Sequence, residues 1–457
     1  MVSPIGVAEG KYSKKKRLIL DLSSPHNNSE HFSINDYIIK EEFSLQYLKI
    51  DDAIRIIQHL GEGALLTKVD VQDAFRILPV NPQQWPLLSI KWGGLYYMYV
   101  RLPFGSRSSP KIFTELSKAI QWIATTNYKI KNLLYLLDDF LAIDPPNYPA
   151  INTRVTLLNL FASLGVPLNQ NKTVGPSTCL EYLGITLDSL KQEARLPAEK
   201  VARISDILRE VSKQSYCSKR ELLCVLGHLN FATRVIIPGR TFMANLIQLS
   251  TTVKLLHQKI RLTTECQQDI AMWLELLSKF NGVSMFHDSN LTSNIDLEVY
   301  TDSSSSVGFG GFNKKTGEYF ADTWDNHPLP VGSHSMSYME LYPIVVASLL
   351  WGREWERKNI AFMCDNEGTV AILQKGRSKC CNINKLMRSM VLCATNCNFI
   401  FTAQWISTKV NVEADALSRG LFHVFQATAP KAQRIPCPLP AQIAFNSPRQ
   451  LGKDHRP

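Results

Sequence analysis

No apolar run in this chain approaches the roughly 20 residues that a membrane-spanning helix needs. The longest, such as Tyr342 to Trp351, reach about half that length. No secretory signal is visible: Lys14-Lys15-Lys16-Arg17 falls within the first twenty residues with no apolar core before it. The ten cysteines show no disulfide-like spacing. That excludes a disulfide scaffold and fits a reducing compartment, cytoplasmic and/or nuclear rather than secreted. Cys380-Cys381 and Cys393-x-x-x-Cys397 form the only cysteine cluster, without a Cys-x-x-Cys knuckle or a His pair, so structural zinc there is disfavoured. Internal repeats are absent.

Apolar material is plentiful. Hydrophobic residues make up 45% of the 457 residues and charged residues 20%, which excludes disorder as the main state. The length predicts about three domains. Lys and Arg total 50 against 40 Asp and Glu, a net charge of +10. Such a balance points to a polyanionic partner. The excess is uneven: Lys191 to Glu265 holds 13 basic and 6 acidic residues, or +7.

Local patterns place the motifs. Ile50 to Leu60 reads as a helix opened by Asp51-Asp52 and stopped by Gly61. Leu65 to Asp70 is a short apolar strand. Leu87 to Val100 reads as a hairpin turning at Gly93-Gly94. Pro110 to Trp122 has helical spacing, and Leu133 to Ile143 suggests a second hairpin with Asp138-Asp139 inside it. Lys191 to Glu265 is helical in pattern. Leu291 to Asp296 is a polar connector, and the stretch after Gly420 is Pro-rich without clear periodicity.

Chemistry concentrates where carboxylates interrupt apolar runs. In Leu65-Leu66-Thr67-Lys68-Val69-Asp70-Val71-Gln72-Asp73-Ala74-Phe75 an acid ends a strand. Leu136-Leu137-Asp138-Asp139-Phe140-Leu141 sets two acids in another apolar run. Adjacent buried carboxylates repel and lose solvation, which a hard divalent cation relieves. Taken alone, Asp138-Asp139 in a hairpin is more often an exposed turn with two solvated acids, and the other segments change the case. If Asp70 lies beside Asp138, the three carboxylates can hold two metals.

These stretches resemble the reverse transcriptases of retroelements, over nearly the full chain. The Lys68-to-Phe75 stretch looks like the first catalytic block. Leu102-Pro103-Phe104-Gly105-Ser106-Arg107-Ser108-Ser109-Pro110 looks like the block that places template and nucleotide. Leu136-Leu137-Asp138-Asp139 looks like the Tyr-x-Asp-Asp box with Leu for Tyr. Gly165-Val166-Pro167-Leu168-Asn169-Gln170-Asn171-Lys172 and Glu181-Tyr182-Leu183-Gly184-Ile185 resemble the two blocks that follow. Leu222-Leu223-Cys224-Val225-Leu226-Gly227-His228-Leu229-Asn230-Phe231-Ala232 and the Leu-Asp-Asp-Phe form of the box are most similar to DIRS-like and Ngaro-like retrotransposons.

The resemblance implies roles. Asp70, Asp138 and Asp139 would be catalytic and hold Mg²⁺ (or Mn²⁺) together with Val71. Arg17 would meet the triphosphate, where a guanidinium suits phosphate. Asp73 and Ala74 would offer backbone N–H groups to the phosphates. Phe75 would exclude a 2′-hydroxyl, although a core aromatic is an equal reading. Phe104 and Gly105 would line the nucleotide pocket. Lys172 would lie near the leaving pyrophosphate, or be an ordinary surface lysine.

Four further acids mark the second half. Asp302 ends the strand-like Leu297-Glu298-Val299-Tyr300-Thr301, before Gly308-Phe309-Gly310-Gly311. Glu340 flanks a helical stripe of Met339, Tyr342, Val346 and Leu349. Asp365 follows Ile360-Ala361-Phe362-Met363-Cys364. Asp415 lies in Asn411-Val412-Glu413-Ala414-Asp415-Ala416-Leu417-Ser418-Arg419. The order Asp, Glu, Asp, Asp resembles ribonuclease H, which implies two Mg²⁺ ions activating water against the RNA of an RNA–DNA hybrid. The family's usual His some ten residues before the last Asp is missing from Gln404-Trp405-Ile406-Ser407-Thr408.

The expected architecture is an α+β fingers–palm over residues 1–190 and a basic helical thumb or connection over 191–290. An α/β ribonuclease H-like domain over 291–420 and a disordered tail over 421–457 complete it. The start, almost directly at the fingers-like region, suggests a fragment or one open reading frame of a larger element. No aspartic protease Asp-Ser/Thr-Gly motif, integrase-like zinc knuckle or recombinase domain is recognisable. Expected partners are RNA template, DNA primer, RNA–DNA hybrid and dNTPs, with other retroelement-encoded proteins and no membrane. Two rivals stand beside this reading: a decayed or domesticated copy that binds nucleic acid without catalysis, and a DNA-templated or cellular polymerase.

Overall fold

The structure is a computed structural model, and it describes residues 2–9, 16–26, 30–45, 48–279, 283–285, 295–327, 335–356, 358–376, 378 and 380–439. Lys14 and Lys15, most of the polar connector at 291–296, and residues 440–457 of the expected tail lie outside the described residues. The chain divides into two units, Met1–Ala194 and Arg195–Pro457.

The first unit is built on a four-stranded antiparallel sheet. Its order is Leu133–Leu136, Asp139–Asp144, Leu65–Asp70, Val174–Ser177. Helices Ser109–Thr126 and Ala150–Ser163 supply Phe113, Ile120, Leu157, Leu160 and Phe161 to a buried cluster with Val69, Leu133 and Phe140 of the sheet. Phe140 meets Phe161 edge-on at 5.1 Å between ring centroids, the geometry the aromatic quadrupole favours. Helix Ile50–Leu60 starts where the Asp52 carboxylate accepts the Lys49 N–H at 2.8 Å, and it stops at Gly61, whose φ is +94°. The expected hairpin is Ser89–Trp92 paired with Leu95–Met98. It turns at Gly93-Gly94 with φ of +55° and +82°, a turn that requires two such residues.

The second unit begins with helices Ala198–Ser212, Lys219–Ala232, Ala244–Ser250 and Thr264–Lys279. The reciprocal Ser218–Glu221 capping box starts the second of these. The helical pattern expected here is interrupted by a short antiparallel pair, Tyr216–Ser218 with Lys259–Arg261. Next comes a five-stranded mixed sheet, ordered Tyr319–Thr323, Gly308–Asn313, Leu297–Ser303, Asn359–Cys364, Ile400–Trp405. The first two junctions are antiparallel and the last two parallel.

Two expectations need correction. Helix Met336–Trp351 carries no one-sided stripe: Tyr338 through Ser348 are all buried. A helix apolar all round has a covered outer face, here covered by helix Cys381–Asn396. The stretch expected as a disordered tail from 421 instead forms helix Phe422–Thr428. Phe425 is the anchor, with its ring 4.6 Å from Tyr319 and 5.4 Å from Phe312. Beyond it, Gln433 and Cys437 donate backbone N–H groups to the Gly317 and Tyr319 carbonyls at 2.8 and 2.7 Å.

Candidate active sites

In the first unit, antiparallel pairing sets Asp70 opposite Asp139. Asp138 occupies the hairpin turn, where Leu137 takes φ of +54°. The turn is held from two sides. Ser117 Oγ donates to the Leu137 carbonyl at 2.8 Å, and Val71 N–H donates to the Asp138 carbonyl at 2.9 Å. The segment bearing Lys172 is tied on by Asn169 N–H to the Asp70 carbonyl at 2.8 Å and Gln72 N–H to the Pro167 carbonyl at 2.9 Å. Asp70, Asp138, Asp139, Val71 and Lys172 are thereby brought together.

Their electrostatics are those of a site short of positive charge. Burial pushes Asp138 up, with Asp70 adding to it. Burial pushes Asp139 up to about 6, against the pull of Lys68. Lys172 Nζ bonds Asp70 Oδ2 at 3.0 Å, while Lys68 Nζ stands 3.8 Å from Asp139 Oδ1. That Asp139 oxygen is buried without a hydrogen-bond partner. One buried and two partly buried acids with only two lysines beside them, and an Asp139 oxygen without a hydrogen bond among them, fit a divalent cation. Lys68 was not singled out in the sequence; its alternation within a strand ending in Asp70 was the available signal.

The other candidates are held by a turn, ring packing and strand pairing. Asp73 is left-handed at φ of +51° and opens the turn Ala74–Ile77, so that Ala74 N–H follows a reversed backbone. Phe75 packs between Phe104 at 4.8 Å and Phe113 at 5.6 Å, with Phe104 half exposed. Gly105 has φ of +100°, and a side chain there would run into the Leu20 carbonyl. Its own carbonyl accepts from buried Asn35 Nδ2 at 2.9 Å, and Asn35 Oδ1 accepts the Arg107 N–H at 2.8 Å. Arg17 lies in strand Lys16–Leu20, paired with Ala8.

In the second unit the four acids come from four elements. Asp302 is buried at the end of its strand, opposite Gly310. A Cβ on Gly310 would lie 2.5 Å from Leu417 Cβ, so glycine lets helix Val412–Ser418 settle on the sheet. That close approach carries Asp415 towards Asp302, and Ser418 Oγ donates to Asp302 Oδ2 at 2.5 Å. Asp365 accepts from Thr408 Oγ1 at 2.8 Å and Asp415 accepts from Arg419 Nε at 2.8 Å. Buried Glu340 faces them from its helix.

Burial pushes Asp302 up to about 6, with Asp365 and Asp415 adding to it. Burial pushes Glu340 up to about 9, with Asp302 and Asp365 adding to it. Carboxyls that raise one another's proton affinity also fit a shared cation. Thr408 and Cys364 were missed as neighbours of this cluster. The former sits where a His was sought, and the latter is hidden in an apolar strand.

Residues 4–187 match the family described as reverse transcriptase (RNA-dependent DNA polymerase). Protein P of duck hepatitis B virus (strain China) is 22% identical over 173 residues, 38% of this chain and 22% of that protein. The Pol polyprotein of feline endogenous virus ECE1 is 29% identical over 134 residues, 28% of this chain and 13% of that protein. The matches thus span about a fifth of the viral polymerase's length or less. The foamy viral protease-reverse transcriptase dRH, solved in complex with double-stranded DNA, has a similar fold. Its TM-score is 0.51 at 16% identity, over 89% of this chain and 66% of that one. No described helix is long and apolar enough to cross a membrane.

Proposed function

We propose that this chain is an RNA-directed DNA polymerase whose second unit is a ribonuclease H, acting inside the cell for a retroelement of the DIRS-like or Ngaro-like kind. The observation that carries the reading is the hairpin: Asp139 paired with Asp70, Asp138 at the turn, and Lys172 on Asp70. The substrates are an RNA template with its DNA primer, dNTPs, and the RNA–DNA hybrid that copying produces. Other proteins encoded by the same element would be further partners.

Asp70, Asp138 and Asp139, with Val71, would hold two Mg²⁺ (or Mn²⁺) ions. Asp302, Glu340, Asp365 and Asp415 would hold two more. Bound there, the ions would align a primer 3′-hydroxyl with the nucleotide α-phosphate in the first site and activate water against RNA in the second. The chain's own residues do the rest. Lys172, relieved of Asp70, turns its ammonium to the departing pyrophosphate. Phe75, braced by Phe104 and Phe113, presents a ring edge that a ribose 2′-hydroxyl would strike. Asp73 and Ala74 give backbone N–H groups to the triphosphate, and Arg17 gives it a guanidinium. Thr408 and Arg419 orient Asp365 and Asp415 by hydrogen bonds.

dNTP incorporation on poly(rA)/oligo(dT) with Mg²⁺ tests the first site. The parent incorporates, and Asp138→Asn loses at least about a hundredfold. A folded parent that binds the duplex without incorporating identifies a decayed or domesticated copy instead. Asp365→Asn removes hybrid cleavage and spares synthesis; loss of both activities would sink the two-site reading.

A further inference from the structure

One buried group has no part in that mechanism. Cys364 ends strand Asn359–Cys364, is fully buried, and directly precedes Asp365. Its thiol donates to Glu340 Oε2 at 3.9 Å and accepts the Asn366 backbone N–H at 3.4 Å. Glu340, Cys364 and Asp365 each offer a ligand atom within 4.8 Å of the others, the only such trio among the described residues. The Ser303 hydroxyl stands beside Glu340, buried and without a well-formed hydrogen bond.

Sulfur changes which cation such a trio prefers. Mg²⁺ takes oxygen and keeps its waters. One thiolate with two carboxylates suits Zn²⁺ or Cd²⁺. Tetrahedral zinc, with bonds of roughly 2.3 Å to sulfur and 2.0 Å to oxygen, sets those ligand atoms about 3.5 Å apart. The thiol and Glu340 are already near that separation, at 3.9 Å. A backbone N–H aimed at the sulfur is the outer contact that steadies a metal-bound thiolate. The buried Ser303 hydroxyl, beside Glu340 but short of a well-formed hydrogen bond, adds a polar group at the same spot.

We propose that Glu340, Cys364 and Asp365 form a site for a thiophilic divalent cation, Zn²⁺ or Cd²⁺, within the acid cluster of the second unit. On binding, the S–H bond breaks, its proton passes to buffer, and the sulfur electron pair goes to the metal. The site then withholds two of the four carboxylates from Mg²⁺. Only that consequence rests on the ribonuclease reading; the site itself rests on the geometry of the trio.

The test is a Cd²⁺ titration of the reduced, metal-free full chain, following the ultraviolet thiolate-to-cadmium charge-transfer band, with Zn²⁺ competition against a chromophoric chelator. The parent should show a tight site that Cys364→Ser lacks. Glu340→Gln and Asp365→Asn, which keep the sulfur, should each weaken it at least about tenfold. Cys224→Ser, at an exposed cysteine, should leave it unchanged. Circular dichroism checks that each variant folds, and the partly exposed Asp365 carries the test if Cys364→Ser does not. An equally tight site in Cys364→Ser overturns the proposal. So does parental affinity in both carboxylate variants, since sulfur alone would then be binding. A parent with the cadmium site intact that does not cleave hybrid in Mg²⁺ supports the site and sinks the ribonuclease reading alone.

Discussion

Glu340 shows what a buried acid does to stability. Folding raises its proton affinity from the ordinary 4.5 to about 9, through burial first and then Asp302 and Asp365. The folded state therefore holds this proton more tightly than the unfolded state. The stability tied to it is complete below about pH 4.5 and is lost as pH rises towards 9. Asp302, raised to about 6, loses its share earlier along the same climb. Thermal melts in chelator should fall in midpoint between about pH 6.5 and 8.5. Glu340→Gln should flatten most of that slope, and added Mg²⁺ should lift the parent at the alkaline end. A parent melt that does not move with pH would remove the basis for this view of the cluster. Asp302 was legible in the sequence because it follows an apolar strand-like run, and Glu340 because it stands beside an apolar helical stripe. Their supports were not. Ser418 and Thr408 are ordinary polar residues until folding brings them to Asp302 and Asp365, over 116 and 43 residues of chain.

Elements were legible where one local signal agreed with another. Strand Leu65–Asp70 and helix Ile50–Leu60 have the bounds their patterns give, because caps and apolar periods end at the same residues. Helix Phe422–Thr428 was missed because its packing rests on a single aromatic, Phe425. Long-range ties between elements were equally hidden. Arg388, on helix Cys381–Asn396, pairs through Nη2 with fully buried Asp269 on helix Thr264–Lys279. Asn245 Nδ2 donates to the other Asp269 oxygen at 2.8 Å. Burial still pushes Asp269 up to about 6 against these partners. Removing the guanidinium strands a buried charge, so Arg388→Ala should cost about 3 kcal/mol in denaturant unfolding near neutral pH. The deficit should shrink towards pH 5, where Asp269 takes a proton and no longer needs the partner. A loss under about 0.5 kcal/mol, or one independent of pH, would mean the pair is not holding these helices together.

Across the whole molecule, charge is sorted by task. Lys191 to Glu265 carries +7, which leaves +3 for the rest of the chain, from the total of +10. Acids gather at the two candidate sites, and bases gather on the helices at the start of the second unit. There Lys200 Nζ lies 4.4 Å and the Arg234 guanidinium 5.4 Å from the Phe231 ring centroid. Lys200, Arg203 and His228 border a cleft of about 160 Å³ with Phe231 at its wall. An aromatic that steadies two cations beside such a cleft suits the backbone of a nucleic-acid duplex more than its bases. Replacing Lys200 and Arg234 together by alanine should therefore weaken hybrid binding by a similar factor for every sequence tried. Every phosphate that is no longer neutralised lowers the slope of log affinity against log salt by about 0.9, so the double variant should show a slope shallower by roughly 2. Incorporation at saturating duplex should stay within about threefold of the parent, because the hairpin acids are untouched. Fluorescence anisotropy over a range of salt concentrations measures both affinity and slope. An unchanged slope would show that these cations meet no phosphate, and a sequence-dependent loss would show that they read bases instead.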